Sequence, residues 1–351
     1  MNNNLEIIAD YEKKNKKVYL LTSVLAVLII ITVFYSLVSG AADIDAGELI
    51  KAALQQKDGM IYNIVWNIRL PRILTSLLAG MGLAVSGAVM QSILKNPLGS
   101  PFTLGISHAA AFGAAFAIIV LDFSGSFADR VLSEIYIPAI SAFIFSQIAI
   151  FIVIFLARKK SSSPETMVLA GIALSSLFTA GTTALQFFAD DLELASVVYW
   201  TFGDPGRTSW TQIFIITLSF ILIFIYFIYQ SWDFSILNAG DELAVSLGID
   251  TEKIRLYGMF AASLLTAVII SFVGIIGFIG LVTPHIIRKI SQSNERFHLI
   301  NSALAGGLLL ILADNLSRTA FAPIILPVGV LTSFLGAPLF IYLVIKGRQY
   351  W

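Results

Sequence analysis

Long apolar runs alternate with short polar segments along almost the whole chain. The hydrocarbon core of a bilayer requires about 20 consecutive apolar residues per helix, and nine runs meet or approach that length. A tenth run is short, rich in glycine and interrupted by Pro284. The pattern predicts an all-α fold with ten transmembrane helices, which cover residues 18–38, 70–91, 101–120, 135–157, 165–189, 211–230, 254–273, 275–290, 299–317 and 329–346.

The same pattern predicts a single transmembrane domain over residues 18–346, between an N-terminal tail at 1–17 and a C-terminal tail at 347–351. One longer loop, residues 231–253, links spans six and seven, and its sequence predicts one or two short helices. Asn238 or Asp241 can cap such a helix and Gly248 can end it. A short surface helix can dock into the groove of a partner protein. A plain loop lying on the membrane surface fits the pattern as well.

Composition indicates that most of this chain lies in the lipid bilayer. Of its 351 residues, 57% are hydrophobic and 13% are charged, against about 25% charged residues in soluble domains. Equal numbers of basic and acidic residues give a net charge of zero, which argues against nucleic acid as a partner. Because the chain has no cysteine, disulfides, thiolate metal sites and cysteine nucleophiles are excluded.

Basic residues set the predicted orientation, because lysine and arginine concentrate on the cytoplasmic side of membrane proteins. Four lysines precede the first span, so the N-terminus is expected in the cytoplasm. Alternation of ten spans then places fifteen of the 22 basic residues inside, with the C-terminus also cytoplasmic. The expected location is the plasma (inner) membrane of a bacterium. The seven basic residues expected outside are Lys51, Lys57, Arg69, Arg72, Arg130, Arg207 and Arg318.

Catalytic chemistry has no recognisable motif in this chain. There is no nucleotide-binding motif of the form GxxxxGK[ST], no Ser-His-Asp set and no metal-ligand constellation. We therefore expect no enzyme activity, no catalytic or metal-ligating residue and no bound cofactor. Ionisable residues are scarce within the spans, which argues against an ion-coupled secondary transporter. Asp314 and Arg318, four residues apart, predict either an ion pair at a helix end or a partner-binding site.

Four stretches of sequence resemble one family, the permease subunits of ATP-binding-cassette importers for iron–siderophores, haem and vitamin B12. They run in the family's order from residue 69 to 346. The motifs are Arg69-Leu70-Pro71-Arg72 with the small-residue run 78–91, Asn96-Pro97-Leu98-Gly99-Ser100-Pro101 with Leu104-Gly105-Ile106-Ser107, Gly274-Ile275-Ile276-Gly277-Phe278-Ile279-Gly280-Leu281-Val282-Thr283-Pro284-His285, and Ala313-Asp314-Asn315-Leu316-Ser317-Arg318 with Leu326-Pro327-Val328-Gly329.

The resemblance implies a transport subunit that works by alternating access. Its implied partners are two ATPase subunits, which hold ATP and Mg²⁺, a second permease subunit and an extracytoplasmic substrate-binding protein. Residues 238–249 match the family's cytoplasmic coupling helices, which sit in a cleft of the ATPase. The candidate coupling residues within them are Asp241, Glu242, Leu243, Ala244, Leu247 and Gly248. The residues that match outward arginines, which pair with acidic residues of the binding protein, are Arg69, Arg72 and Arg318.

The substrate expected from this resemblance is an iron–siderophore complex, with haem or cobalamin as alternatives on the same scaffold. One departure concerns His108-Ala109, since the family usually has a small polar residue and glycine after Gly105-Ile106-Ser107. If this segment faces the pathway, the change alters the pore lining; it can equally be a neutral packing change. The candidate pathway or gate residues are Gln91, Asn96, Pro97, Ser107, His108, Pro284 and His285.

Overall fold

The computed structural model describes residues 2–39, 59–121, 127–159, 163–291, 294–320 and 324–346, and these form helices with no strand. The C-terminal tail at 347–351 lies outside them. The principal helices are α1 Asn2–Val38, α2 Met60–Leu94, α3 Ile106–Val120, α4 Phe127–Arg158, α5 Pro164–Phe188, α6 Asp191–Thr201, α7 Trp210–Tyr229, α8 Ser231–Ala239, α9 Asp241–Ser246, α10 Thr251–Val273, α11 Ile279–Ser291, α12 Glu295–Thr319 and α13 Val328–Lys346.

Every one of the ten predicted spans contains a helix, and the prediction of an all-helical chain is confirmed. Among the described residues, seven helices are long and apolar enough to cross a membrane: α1, α2, α4, α5, α7, α10 and α12. The helices α3 and α13 are shorter apolar helices, and α11 has 13 residues. The count of ten spans and the cytoplasmic termini therefore stay predictions. The helix α1 begins at Asn2 and so takes in most of the predicted N-terminal tail.

The centre of the molecule is α2, which packs against α12, α10, α11 and α7. In the most apolar part of α2, 78% of the residues are buried, against 11% in α1. Glycine allows this close packing at two points. A Cβ on Gly80 would overlap the backbone carbonyl of Gly306, and a Cβ on Gly87 would overlap that of Gly280. The small residues of α2 thus serve packing within the chain.

Local sequence signals explain where several helices begin. The side chain of Ser163 accepts a hydrogen bond from the backbone N–H of Thr166 at the start of α5, where Pro164 occupies the first turn. Asp190 and Glu193 form a reciprocal capping box on α6, a pattern readable in the sequence. The helix α6 was missing from our prediction because its 11 residues are too few for a span.

Candidate functional site

A polar cluster joins α2, α12 and the segment before α7 on the side that charge counting assigns to the outside. Arg72 Nε lies 2.8 Å from Asp314 Oδ1, and Arg72 Nη2 lies 3.2 Å from Asp204 Oδ1. Arg318 Nε lies 3.2 Å from Asp314 Oδ2. The ion pair between Asp314 and Arg318 that their spacing predicts is therefore present. Asp314 is fully buried, so two arginines balance one enclosed carboxylate.

The third arginine of this region binds the end of α1. Within α2, residues Ile64–Arg69 form a π-helical turn, and Arg69 is buried at its end. Its Nη1 donates to the carbonyls of Leu37 and Val38, the latter at 2.9 Å. Carbonyls at a helix C-terminus lack partners within the helix, and a cation satisfies them well. The π turn and Arg69 thus fasten α1 to α2.

All three arginines predicted to dock a binding protein make contacts inside this chain. Arg318 also donates to Ser36 Oγ at 2.8 Å and to the backbone oxygen of Ser39 at 3.3 Å. These contacts give each arginine a structural task in the subunit. Docking of a binding protein by these arginines stays a prediction. Sequence reasoning missed Asp204, which lies more than 100 residues from both Arg72 and Asp314.

The loop between spans six and seven contains two short helices, α8 and α9, with Gly240 between them at φ 142°. The predicted coupling segment 238–249 includes all of α9 but only the last two residues of α8. The prediction that Asn238 or Asp241 caps a helix is wrong, because Asn238 lies near the end of α8 and Gly240 precedes α9.

Asp241 anchors α9. Its Oδ1 lies 2.7 Å from Lys95 Nζ and 2.7 Å from Arg255 Nη2. Burial alone would raise the pKa of Asp241, but hydrogen bonds from Arg255 and Lys95 outweigh it and lower that pKa. Arg255 Nε also donates to the carbonyl of Ile93, so α9 is tied to both α2 and α10.

The other predicted coupling residues divide into an exposed face and a buried anchor. Leu243 is 47% exposed and Leu247 is 59% exposed, and the neighbouring Val245 is 62% exposed. Ala244, in contrast, is fully buried. Glu242 is exposed, and Gly248 has φ 79°, a conformation that favours glycine. Exposed aliphatic side chains on a firmly anchored six-residue helix and at its C-terminal end form a surface suited to a protein partner.

Glu295 forms a second buried link near this segment, which the sequence analysis missed. Its carboxylate accepts from Ser92 Oγ at 2.6 Å and from Asn238 Nδ2 at 3.2 Å. Arg288 Nη2 lies 3.3 Å from it. The link joins α2, α8, α11 and α12 at one end of the molecule. Asn294 caps α12, so Glu295 falls in the first turn, where acidic residues are favoured. That pattern is the sequence signal for this site.

A cavity of about 790 Å³ lies between α3, α13 and the irregular segment that follows α10. Ser107 and His108 are part of its lining. Residues 98–103 and 275–278, both outside regular helices, also line it. Irregular backbone in these two segments thus lies beside a cavity, where it is shielded from lipid.

The remaining pathway candidates do not belong to the lining of this cavity. Gln91 is buried, and its Nε2 donates to the carbonyl of Leu281 at 2.9 Å. Asn96 accepts from the backbone N–H of Leu98 within the turn that Pro97 continues. Pro284 is buried inside α11, and the adjacent His285 is half-buried on that helix. The structure thus brings together two of the seven candidates, and the role of the others as gates stays a prediction.

Residues 28–346 match the model of the FecCD transport family. The chain belongs to that family. A protein of Methanocaldococcus jannaschii whose name assigns it as an ABC transporter permease is 48% identical over 97% of this chain and 99% of its own length. The haemin transport permease HmuU of Yersinia pestis is 36% identical over 82% of this chain and 85% of its own. The vitamin B12 import permease BtuC of Vibrio vulnificus is 33% identical over 98% of each chain.

The solved structure of another protein with the same fold gives the same assignment. It is an inward-facing conformation of an ABC transporter assigned to the metal-chelate type, with a TM-score of 0.80 and 30% identity over 93% of this chain and 98% of the other. The FecCD protein is thus a multi-pass permease subunit of an ABC importer and not an enzyme, since ATP hydrolysis belongs to a separate subunit. The alternative of an ion-coupled secondary transporter is wrong.

Proposed function

We propose that this permease translocates an iron–siderophore complex across the plasma membrane of its cell by alternating access. Ten spans place both termini in the cytoplasm. Two ATPase subunits bind ATP and Mg²⁺ and drive the change, a second permease subunit completes the pathway, and an extracytoplasmic binding protein delivers the chelate. Haem and cobalamin are the alternative substrates, and they are supported by relatives named for haemin and vitamin B12.

The observation that carries this proposal is the exposed aliphatic surface of the anchored helix α9 and its C-terminal end. Leu243, Val245 and Leu247 expose large aliphatic side chains that gain stability when a partner removes them from water. The ion pairs of Asp241 transmit displacement of α9 to α2 and α10. Because α2 is the central helix of the molecule, a partner that moves α9 acts on the whole bundle.

The direct test is uptake by proteoliposomes that contain the permease pair, the ATPase pair and the binding protein. We expect uptake of a ferric siderophore that requires ATP inside and is indifferent to an imposed ion gradient. Uptake driven by an ion gradient in the absence of ATPase subunits would contradict the proposal. The same uptake assay with haem and with cobalamin shows which of the three substrates is transported.

The coupling surface has its own prediction. Replacing Leu243, Val245 and Leu247 together by serine removes the apolar contacts and leaves the buried Ala244 in place. We expect binding of the ATPase pair and ATP-dependent uptake to fall by about tenfold or more, since each 1.4 kcal/mol of lost binding free energy is a factor of ten. Co-purification of the ATPase with the permease and the initial uptake rate are the measurements.

The matched control replaces three exposed aliphatic residues elsewhere, Leu192, Leu194 and Val198 of α6. This change alters a similar apolar area at a distance from α9 along the chain. It should leave ATPase co-purification unchanged. Normal co-purification and normal uptake in the α9 variant would eliminate the coupling assignment.

A further inference from the structure

The cavity beside α3 and α13 has a wall that combines aromatic rings with hydroxyl groups. Its volume of about 790 Å³ falls within the range of about 300–1,000 Å³ that small-molecule sites occupy. Among the residues that the structure describes, no aspartate, glutamate, lysine or arginine lines it. Five phenylalanines do, namely Phe102, Phe202, Phe278, Phe334 and Phe340.

His108 is the one ionisable side chain in the described part of this wall. Its ring centre lies 5.2 Å from that of Phe102. The residue is partly exposed and lines the cavity, so a ligand in the cavity can contact the ring. An imidazole nitrogen can donate or accept a hydrogen bond.

The absence of fixed charge in the described wall restricts the ligand. Moving a charged group from water to apolar surroundings without a counter-charge is strongly unfavourable. An aromatic wall instead favours a ligand with an apolar outer surface. In ferric trihydroxamates the singly ionised hydroxamates offset the charge of Fe³⁺. Ferric tricatecholates keep an excess of negative charge, because each catecholate is doubly ionised.

We propose that this cavity is a transient binding site for the iron chelate in this subunit. It selects uncharged chelates of the hydroxamate class. His108 hydrogen-bonds to an oxygen atom at the edge of the chelate. The inference rests on the proposed function, and it adds the substrate class and the residues that select it. Such a site binds weakly, as transport requires, because the ligand must also leave it.

Occupancy of the cavity can be measured with a cysteine, because the natural chain has none. Ser333 lines the cavity on α13 and is partly exposed, so Ser333→Cys places a thiol in its wall. The full transporter in proteoliposomes is treated with an uncharged maleimide and a gallium chelate, since Ga³⁺ does not oxidise the thiol. A neutral gallium trihydroxamate should slow alkylation at position 333, and an anionic gallium tricatecholate should not.

Ser196→Cys provides the matched control. Ser196 is exposed on α6 and does not line the cavity. Its alkylation rate should be the same with either chelate and with none. Equal protection of position 333 by both chelates, or no protection by the trihydroxamate, would overturn the inference.

A charge introduced into the wall should change the selectivity. In Ser333→Lys a cation faces the cavity, and uptake of the tricatecholate relative to the trihydroxamate should rise by about tenfold, the scale of a charge-assisted hydrogen bond. The ratio is taken within one variant, so a lower yield of folded protein cancels. An unchanged ratio, with measurable uptake, would count against the cavity as the selecting site.

Comparing His108→Ala with His108→Gln tests whether His108 hydrogen-bonds to the chelate. Glutamine keeps a hydrogen-bonding group and alanine does not. We expect the alanine variant to raise KM for trihydroxamate uptake with little change in kcat, and the glutamine variant to restore KM in part. A fall in kcat alone in both variants would contradict a contact with the chelate.

The outcomes distinguish this inference from the proposed function. ATP-dependent uptake of iron chelates without discrimination by charge removes the inference and leaves the permease assignment to iron chelates intact. Failure of every iron chelate to enter with ATP, while haem or cobalamin enters, removes the proposed substrate and the inference with it.

Discussion

Asp314 shows how single residues fix the outer end of the molecule. Its carboxylate is fully buried and contacts both Arg72 and Arg318. Removing one member of a buried ion-pair network leaves an uncompensated charge, which costs about 3–5 kcal/mol. We therefore expect Asp314→Asn to destabilise the permease by about that amount, measured as a lower thermal unfolding temperature in detergent or nanodiscs.

Asp204→Asn is the comparison variant for Asp314→Asn. The side chain of Asp204 is 22% exposed, so solvent screens its contact with Arg72 and the loss should be clearly smaller. Equal unfolding temperatures for the wild type and Asp314→Asn would show that the cluster does not stabilise the fold. The same measurement must accompany any charge reversal at Arg69, Arg72 and Arg318, because reversal would disturb both the fold and docking.

The sequence predicted one contact of this cluster and not the others. Asp314 and Arg318 lie one helical turn apart, so local spacing sufficed. Arg72 and Asp204 meet only after α2 and the segment before α7 have packed together. Glu295 and Asn238 are separated by 57 residues in the same way. Contacts of this kind depend on the tertiary arrangement, which hydrophobic periodicity does not specify.

At the scale of helices, α2 and α11 cross closely at Gly87 and Gly280, where neither residue has a side chain. A Cβ on Gly87 would overlap the backbone of Gly280, which cannot move without shifting α11. Gly87→Ala should therefore destabilise the fold by about 1–3 kcal/mol or more, the usual cost of overpacking. Thermal unfolding of the purified permease is the measurement.

Gly59 offers a matched control for that substitution. It precedes α2, and a Cβ there would meet no atom within 4 Å. Its φ of −143° suits alanine as well as glycine. Gly59→Ala should leave the unfolding temperature unchanged. If Gly87→Ala behaved in the same way, the helices would not be in contact at this point.

Periodicity predicted the long helices well and the interruptions less well. All ten predicted segments contain helix, because apolar runs of span length leave the chain few alternatives. The π turn at Ile64–Arg69 has no such signal. At its end, Arg69 hydrogen-bonds to the carbonyl of Val38 in α1, a contact between segments distant in sequence. The short helix α6 had a readable capping box, but a search for spans alone passes over it.

At the scale of the whole molecule, the proposed partners require a definite orientation in the bilayer, because the binding protein acts outside and the ATPase inside. Residues of α6 should lie outside and residues of α9 inside. Because the chain has no cysteine, Ser196→Cys and Ser246→Cys each introduce a single thiol at an exposed position. A membrane-impermeant maleimide added to intact cells should label position 196, and label position 246 only after permeabilisation.

The short helix α11 decides between an even and an odd number of spans. It has 13 residues, fewer than the about 20 that a straight crossing requires, yet the break before it lines a cavity that shields irregular backbone. If α11 completes a span together with residues 275–278, an epitope tag after Trp351 must lie on the same side as Ser246→Cys. A tag accessible in intact cells would mean that one of the short helices α11 and α13 does not cross, and the C-terminus would then be outside.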